Sequence, residues 1–301
     1  MFRRPISGAV SPLRYPGGKG ALAPFLGALI KAQQAEISTY VEPFAGGAGA
    51  ALRLLYDEYV ERVVLNDLDR GVAAMWRSIF DRTEDFIALL MSRPVSIDQW
   101  HAEREVVESG DPQDDLALGF ATFFLNRTNR SGIHNARPIG GLDQSGKWKI
   151  DARYNRSSLA DRVSLLGHYR NRVEVLEEDG IDVTQRYLRG GTRVFVYADT
   201  PYIEKGSDLY LNQMSWSDHE RLADVLQSGS AFWMLTYDHD DRVPGVLYPG
   251  RRFLAFNIAH TAAVQHVGKE FAVFSDSLLL RGREVGMLTQ RGRRRSRPSM
   301  V

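Results

Sequence analysis

Between Thr39 and Asp67 the chain reads as strand, glycine-rich turn, helix and second strand, an order that leaves few folds open. Thr39-Tyr40-Val41-Glu42 is β-rich and runs into Pro43-Phe44-Ala45-Gly46-Gly47-Ala48-Gly49-Ala50. A helical pattern then spans Ala50 to Tyr59, and Arg62-Val63-Val64-Leu65-Asn66-Asp67 has the character of a buried strand ending in polar residues. A βαβ unit of this kind implies parallel strands joined by a crossover. Strand character returns at 172–176, at 193–199 and at 231–236, with a helix over 217–227 for which Ser217 is the expected N-cap. From Gly71 to Leu125 the apolar residues (Met75, Trp76, Ile79, Phe80, Phe86, Leu89, Leu90, then Leu116 to Leu125) recur at helical spacing instead. The segment from Asn126 to Asp151 is glycine-rich, polar and basic.

The pattern predicts an α/β fold, a Rossmann-like doubly wound sheet split by a mostly helical insertion. On this reading 1–70 and 171–285 form one catalytic domain, 71–170 is the insertion, and 286–301 is a basic tail. The 301 residues suffice for such a core. The absence of cysteine excludes disulfides, thiolate metal sites and cysteine nucleophiles, and fits a reducing compartment. The first twenty residues contain no apolar stretch of the secretory type, and no apolar run is long enough to cross a bilayer. Net charge is only +1, yet Arg127, Arg130 and Arg137 cluster, and five arginines lie between Arg291 and Arg297. Local basic patches attract polyanions whatever the net charge; a solubilising tail accounts for the second cluster equally well.

Glycines between strand and helix let backbone N–H groups approach a ligand, and Asp67 closes the next strand where a carboxylate accepts from ribose hydroxyls. The turn alone fits NAD, S-adenosylmethionine or simple helix–strand packing, although it lacks G-x-G-x-x-G spacing. The strand over 193–199 leads into Asp199-Thr200-Pro201-Tyr202. Methylating an exocyclic amine needs two acceptors on its N–H groups, so that the nitrogen lone pair turns toward the methyl donor. Asp199's carboxylate and Thr200's carbonyl suit that task, Pro201 stiffens the turn and Tyr202 offers a ring to stack on a base. An Asx-turn with a Pro-Tyr packing pair would produce the same four residues.

Taken together, the chain resembles the Dam-type (class alpha) family of DNA adenine-N6 methyltransferases over residues 12–280. Arg14-Tyr15-Pro16-Gly17-Gly18-Lys19 is similar to that family's N-terminal cofactor element, Glu42 to Gly47 to its glycine loop, and Leu65-Asn66-Asp67 to its ribose acid. Phe124-Leu125-Asn126-Arg127-Thr128 resembles the start of its target-recognition loop, and 199–202 its Asp-Pro-Pro-Tyr tetrad; the likeness continues through Tyr210 and Thr236-Tyr237-Asp238. The resemblance implies S-adenosylmethionine as cofactor, S-adenosylhomocysteine as product and no metal. It implies cofactor contacts from Tyr15, Gly17, Gly18, Lys19, Glu42, Pro43, Phe44, Gly46, Gly47, Asp67 and Asp199, catalysis by Asp199, Thr200, Pro201 and Tyr202, and duplex DNA as partner with the target base flipped out. It further implies a monomer or dimer in the cytoplasm or nucleoid, in a bacterial or phage restriction-modification setting.

Three departures from the family pattern matter. Thr200 replaces a proline, Ala48 stands where a strict Phe-x-Gly-x-Gly motif has its second glycine, and Asn135 occupies the place of the base-reading arginine in GATC-type members. GATC is therefore not the expected target. In the loop, Asn126, Arg127, Asn129, Arg130, Ile133, Asn135 and Arg137 are the expected DNA contacts: arginines on phosphates, an amide on a base edge, Ile133 as wedge or as loop anchor. Trp148 and Tyr154 suit base stacking or loop packing, and Trp76 and Trp100 the core. The rival readings are a methyltransferase for RNA or protein glutamine, and a catalytically silent DNA-binding relative.

Overall fold

The computed structural model describes residues 10–14, 18–109, 114–201, 203, 214–260 and 266–289, with backbone alone at 259, 260, 266, 267 and 289. Tyr15, Gly17, Tyr202, Tyr210 and the arginines from Arg291 to Arg297 lie outside the described residues.

Seven strands make one sheet: β1 (Thr39–Glu42), β2 (Arg62–Asn66), β3 (Val173–Leu176), β4 (Val194–Asp199), β5 (Phe232–Asp238), β6 (Arg252–His260) and β7 (His266–Phe274). Their order is β3-β2-β1-β4-β5-β7-β6. The first five are parallel, and β7 runs antiparallel to both its neighbours. The expected Rossmann-like sheet is thus present, extended by a β6–β7 hairpin that the sequence reading did not name. A signal for it exists: in β6, Phe256 and Ile258 are buried and Ala255 and Asn257 exposed, the alternation of a strand with one face on a core.

Side chains alternate between two cores. Tyr40, Phe195, Tyr197 and Met234 face α1 (Ala23–Ala32) and α2 (Gly49–Tyr56). Val41, Val196, Ala198, Trp233 and Leu235 face α8 (Gly180–Leu188) and α9 (Trp216–Ser228). Burial on both faces explains why β4 and β5 read as continuous apolar runs. A last helix, α10 (Gly282–Thr289), packs beside β6 and α1.

The described residues between β2 and β3 form helices joined by loops: α3 (Arg70–Asp81), α4 (Thr83–Ser92), α5 (Ile97–Glu108), α6 (Asp115–Thr128) and α7 (Arg156–Gly167). Trp76, Phe86, Trp100, Phe120, Phe123 and Phe124 from these helices join the same apolar cluster as α1 and α2. Trp76 and Trp100 are core, and Tyr154 packs against Phe123 and Phe124, whereas Trp148 is 64% exposed.

Two helix boundaries differ from expectation. The second helix stops at Tyr56 rather than Tyr59, because Glu58 adopts a left-handed conformation, φ 56°. The cap of α9 is Ser215, not Ser217: its hydroxyl accepts from Asp218 N while Asp218 accepts from Ser215 N, a reciprocal pair that satisfies two end donors.

Strand order reverses beside β1, with β2 on one side and β4 on the other. In an open α/β sheet the crevice beyond the carboxyl ends at such a reversal is where ligands bind. Here those ends are Glu42 with its glycine turn, and Asp199.

Candidate active site

The glycine turn is fixed from several sides. Trp76 Nε1 donates to Gly46 O at 2.9 Å, Gly46 N donates to Asp67 Oδ2 at 2.8 Å, and Asn66 Nδ2 donates to Pro43 O at 2.8 Å. Gly46 and Ala48 both take positive φ, 45° and 47°. For an alanine that conformation costs about 1–2 kcal/mol, which gives a physical reason for the family's glycine at this place. A Cβ on Gly49 would lie 3.1 Å from Gly20 N, so the segment after Gly18 rests directly on the turn. A Cβ on Gly180 would lie 2.5 Å from the Phe44 ring, so the start of α8 closes the other flank. Between these walls is a cavity of about 1000 Å³, lined by Lys19, Gly46, Asp67, Ile181, Asp199 and Pro201 among others.

Two acids on its wall are perturbed. Burial pushes the Asp67 carboxyl up to about 6, against the opposing pull of backbone N–H donation from Asp69 and Gly46. Burial pushes Glu42 up to about 8 although Ala51 N donates to it at 2.9 Å and Tyr40 OH at 3.2 Å. The Ala51 bond ties the end of β1 to the first turn of α2.

Asp199 ends β4. Its Oδ1 accepts from Lys19 Nζ at 2.9 Å and from Thr236 Oγ1 at 2.8 Å. Because Thr236 donates there, its oxygen accepts from Tyr197 OH, 2.9 Å away, and a donor chain runs from the sheet interior to the carboxylate. Lys19 also bridges to Glu270 Oε1 at 3.3 Å. Among the described residues Asp199 Oδ2 has no partner, and the side chain is 27% exposed in the cavity wall. Thr200 is buried. Its hydroxyl donates to Thr236 O at 3.3 Å, and the hydroxyl of the next residue, Tyr237, meets His219 Nδ1 at 2.8 Å. Ile203 N donates to Asp238 Oδ1, closing the turn onto β5. These bonds hold the turn at the position where proline is replaced.

The basic loop divides into two sets. Asn126 exchanges bonds with Arg14 N and O at 2.9 and 2.7 Å and donates to Gly132 O; Asn129 accepts from Trp100 Nε1 at 2.6 Å and donates to Ile133 O and His134 O. Arg127 donates to the carbonyls of Arg153 and Pro12, and burial followed by the charges of Arg14 and Arg162 lowers it to about 9. These three lie inside the loop and lace it to residues 10–14. Arg130, Asn135 and Arg137 are exposed, Ile133 is half-buried, and Ile133 and Asn135 line the same cavity as Asp199.

The structure therefore brings together Gly18, Lys19, Glu42, Phe44, Gly46, Gly47, Asp67, Asp199 and Pro201 around one cavity, while Thr200 sits behind the wall and Pro43 contributes its carbonyl to Asn66. Sequence reasoning missed Glu270, which reaches the site because β7 pairs antiparallel with β5 and sets Glu270 opposite Asp238. It missed Asp179 to Ile181 as cavity lining and Trp76 as a clamp on the turn. No local motif marks any of these.

Residues 15–243 match the family described as D12 class N6 adenine-specific DNA methyltransferase. The type II methyltransferase M.MjaIII of Methanocaldococcus jannaschii is 23% identical over 56% of this chain, and the match spans 60% of that relative's length. The type II methyltransferase M.CviBI of Paramecium bursaria Chlorella virus NC1A is also 23% identical, over 64% of this chain and 70% of its own. Among solved structures, the rRNA methyltransferase aviRa of Streptomyces viridochromogenes aligns with a TM-score of 0.39 at 15% identity, covering 92% of this chain and 88% of that one. With the family match spanning the glycine turn, the loop and the tetrad, the chain belongs to the D12 class N6 adenine-specific DNA methyltransferase family.

Proposed function

We propose that the protein methylates the N6 amine of adenine at a specific site in duplex DNA, in the manner of the Dam-type enzymes, with the target base flipped into the cavity. The observation that carries this reading is the asymmetric Asp199 carboxylate: Oδ1 is held by Lys19 and Thr236, while Oδ2 remains at the cavity wall for a substrate N–H. A carboxylate already fixed by two donors needs no reorganisation when the amine arrives.

The cavity suits S-adenosylmethionine in the chemistry of its donors and acceptors. A strand-end carboxylate at Asp67 stands ready for ribose hydroxyls, and the left-handed turn at Gly46 presents backbone to a ligand without a side chain intervening. The cofactor supplies an electrophilic methyl on a sulfonium. Asp199 Oδ2 accepts one amine N–H and the Thr200 carbonyl the other, which directs the nitrogen lone pair into the cavity. Once nitrogen carries the methyl it is positively charged, and its proton passes to Asp199 Oδ2, the acceptor already on that N–H, and from there to solvent. Tyr202 is assigned the stacking role on the flipped base.

DNA contact falls to the exposed residues of the loop. Arg130 and Arg137 bind phosphate, Asn135 reads a base edge, and Ile133 enters the stack where the base leaves, while Asn126, Arg127 and Asn129 keep the loop in shape. With an amide rather than a guanidinium at 135, the target differs from GATC.

Asp199→Ala tests the assignment. Transfer of labelled methyl to unmethylated DNA is expected to fall about 10²- to 10³-fold, the scale for removing one preorganised catalytic contact, with DNA binding retained in a mobility-shift assay. Loss of transfer and DNA binding together would show that Asp199 holds the structure instead.

A further inference from the structure

We infer that Arg14, Arg127, Arg153 and Arg162 form a phosphate clamp on the cavity wall, which grips the DNA backbone beside the flipped adenine. The inference rests on the reading of duplex DNA as the substrate. All four residues line the cavity that Asp199 also lines, and they come from separate places: the segment 10–14, the end of α6, the turn before α7, and α7 itself. Only folding brings them together. Of the arginines that the sequence groups by spacing, Arg127 alone belongs to the cluster.

Neutral partners hold these side chains. Arg14 Nη1 donates to Asn129 O at 3.0 Å, Arg127 Nε to Arg153 O at 2.9 Å and Nη1 to Pro12 O at 3.2 Å, and Arg162 Nη1 to Ser11 O at 3.2 Å. Carbonyls orient a guanidinium without cancelling its charge, and a guanidinium has more N–H donors than these bonds use. None of the four pairs with a carboxylate among the described residues, although Arg14, Arg127 and Arg162 are half-buried. Their charges bear on one another. Burial first, then Arg14 and Arg162, hold Arg127 below the usual range, and burial, then Arg153, does the same to Arg14. Like charges half-buried together raise the free energy of the unliganded protein, and an anion that enters relieves it.

The chemistry of the cluster selects a phosphodiester. Arginine alone supplies it, and the planar guanidinium fork matches the two unbridged oxygens of a phosphate. The cofactor's carboxylate is a poorer match, since the same carbon carries an ammonium that the guanidiniums repel. A DNA strand bears a negative charge at every linkage and no cation. Arg153 is exposed while the other three sit deeper, so the cluster runs from solvent into the wall, as a strand does where one of its bases turns into a cavity. Arg127 then serves twice: its carbonyl bonds keep the loop in shape, and its charge meets the strand.

Binding of the full-length protein to labelled duplex DNA across a salt series, followed by fluorescence anisotropy, reads the clamp. Arg153→Gln and Arg162→Gln are each expected to weaken binding on the order of tenfold and to reduce the slope of log affinity against log salt by about one. Calorimetric affinity for S-adenosylmethionine is expected to stay at the wild-type value. The Arg153 side chain makes no hydrogen bond among the described residues, so Arg153→Gln relieves repulsion alone and should melt no lower than wild type. Wild-type DNA affinity and slope in both variants would overturn the clamp. So would a fall in cofactor affinity matching the fall for DNA, which would give the cluster to the cofactor's carboxylate. Wild-type protein that binds no duplex DNA would instead refute the substrate reading beneath it.

Discussion

Asp67 already accepts two backbone N–H groups, Gly46 at 2.8 Å and Asp69 at 3.0 Å, before any ligand adds its hydroxyls. Burial nevertheless raises its carboxyl to about 6. Hydroxyl donors favour the ionised form, so ligand binding releases whatever proton the empty site holds. The expected cofactor affinity is flat above pH 6 and falls as pH drops below it, by up to about tenfold per unit. Asp67→Asn should bind weakly and show no such slope; calorimetry across that window would check both, and a wild-type affinity level from about pH 7 to 5 would count against ribose recognition by this carboxylate. At Ala48 and Thr200 the chain departs from the family motif. Ala48 accepts left-handed strain, and Thr200 replaces proline's stiffness with a hydrogen bond to Thr236 O. Both local geometries are accommodated by the fold without the residue the motif prefers.

At the scale of elements, the insertion is held to the sheet by close backbone approach. A Cβ on Gly119 of α6 would lie 2.6 Å from Ala74 O and 2.7 Å from Met75 Cα in α3. Neither backbone atom can swing aside, so Gly119→Ala must separate two helices that share the phenylalanine-rich core. A loss of about 1–3 kcal/mol in unfolding free energy is expected, read from the denaturant midpoint, and cofactor affinity should fall with it because α3 carries the Trp76 clamp on Gly46. The sequence revealed most of these elements but not their contacts. Strands β1, β2, β4 and β5 were legible because burial on both faces writes an unbroken apolar run, and α3, α4 and α6 because apolar residues recur at helical spacing; α5, which buries only Trp100 and Glu103, carries no such repeat. The β6–β7 hairpin carried a usable alternation that went unread. The partition of the basic loop was not legible at all: Asn126 and Asn135 look alike in sequence, and only their partners show that one laces residues 10–14 to the loop while the other is exposed at the cavity.

Across the whole molecule, the reversal of strand order beside β1 places the glycine turn and the tetrad, more than 150 residues apart, at one crevice. The candidate site was visible in sequence wherever its residues end a strand: Glu42, Asp67 and Asp199 each do so or follow one directly. Glu270 was invisible because only antiparallel pairing across the sheet's far side delivers it to Lys19. The same architecture puts Ile133 and Asn135 of the loop in the wall of the cavity that holds Asp199. The nucleoside produced identifies the atom that is methylated. Duplex DNA and RNA of matched sequence, each incubated with wild-type protein and isotopically labelled S-adenosylmethionine, would be digested to nucleosides and separated by mass spectrometry. Labelled N6-methyladenine from the DNA, absent with Asp199→Ala, is the predicted result; label confined to the RNA, or to a methylated cytosine, would contradict it.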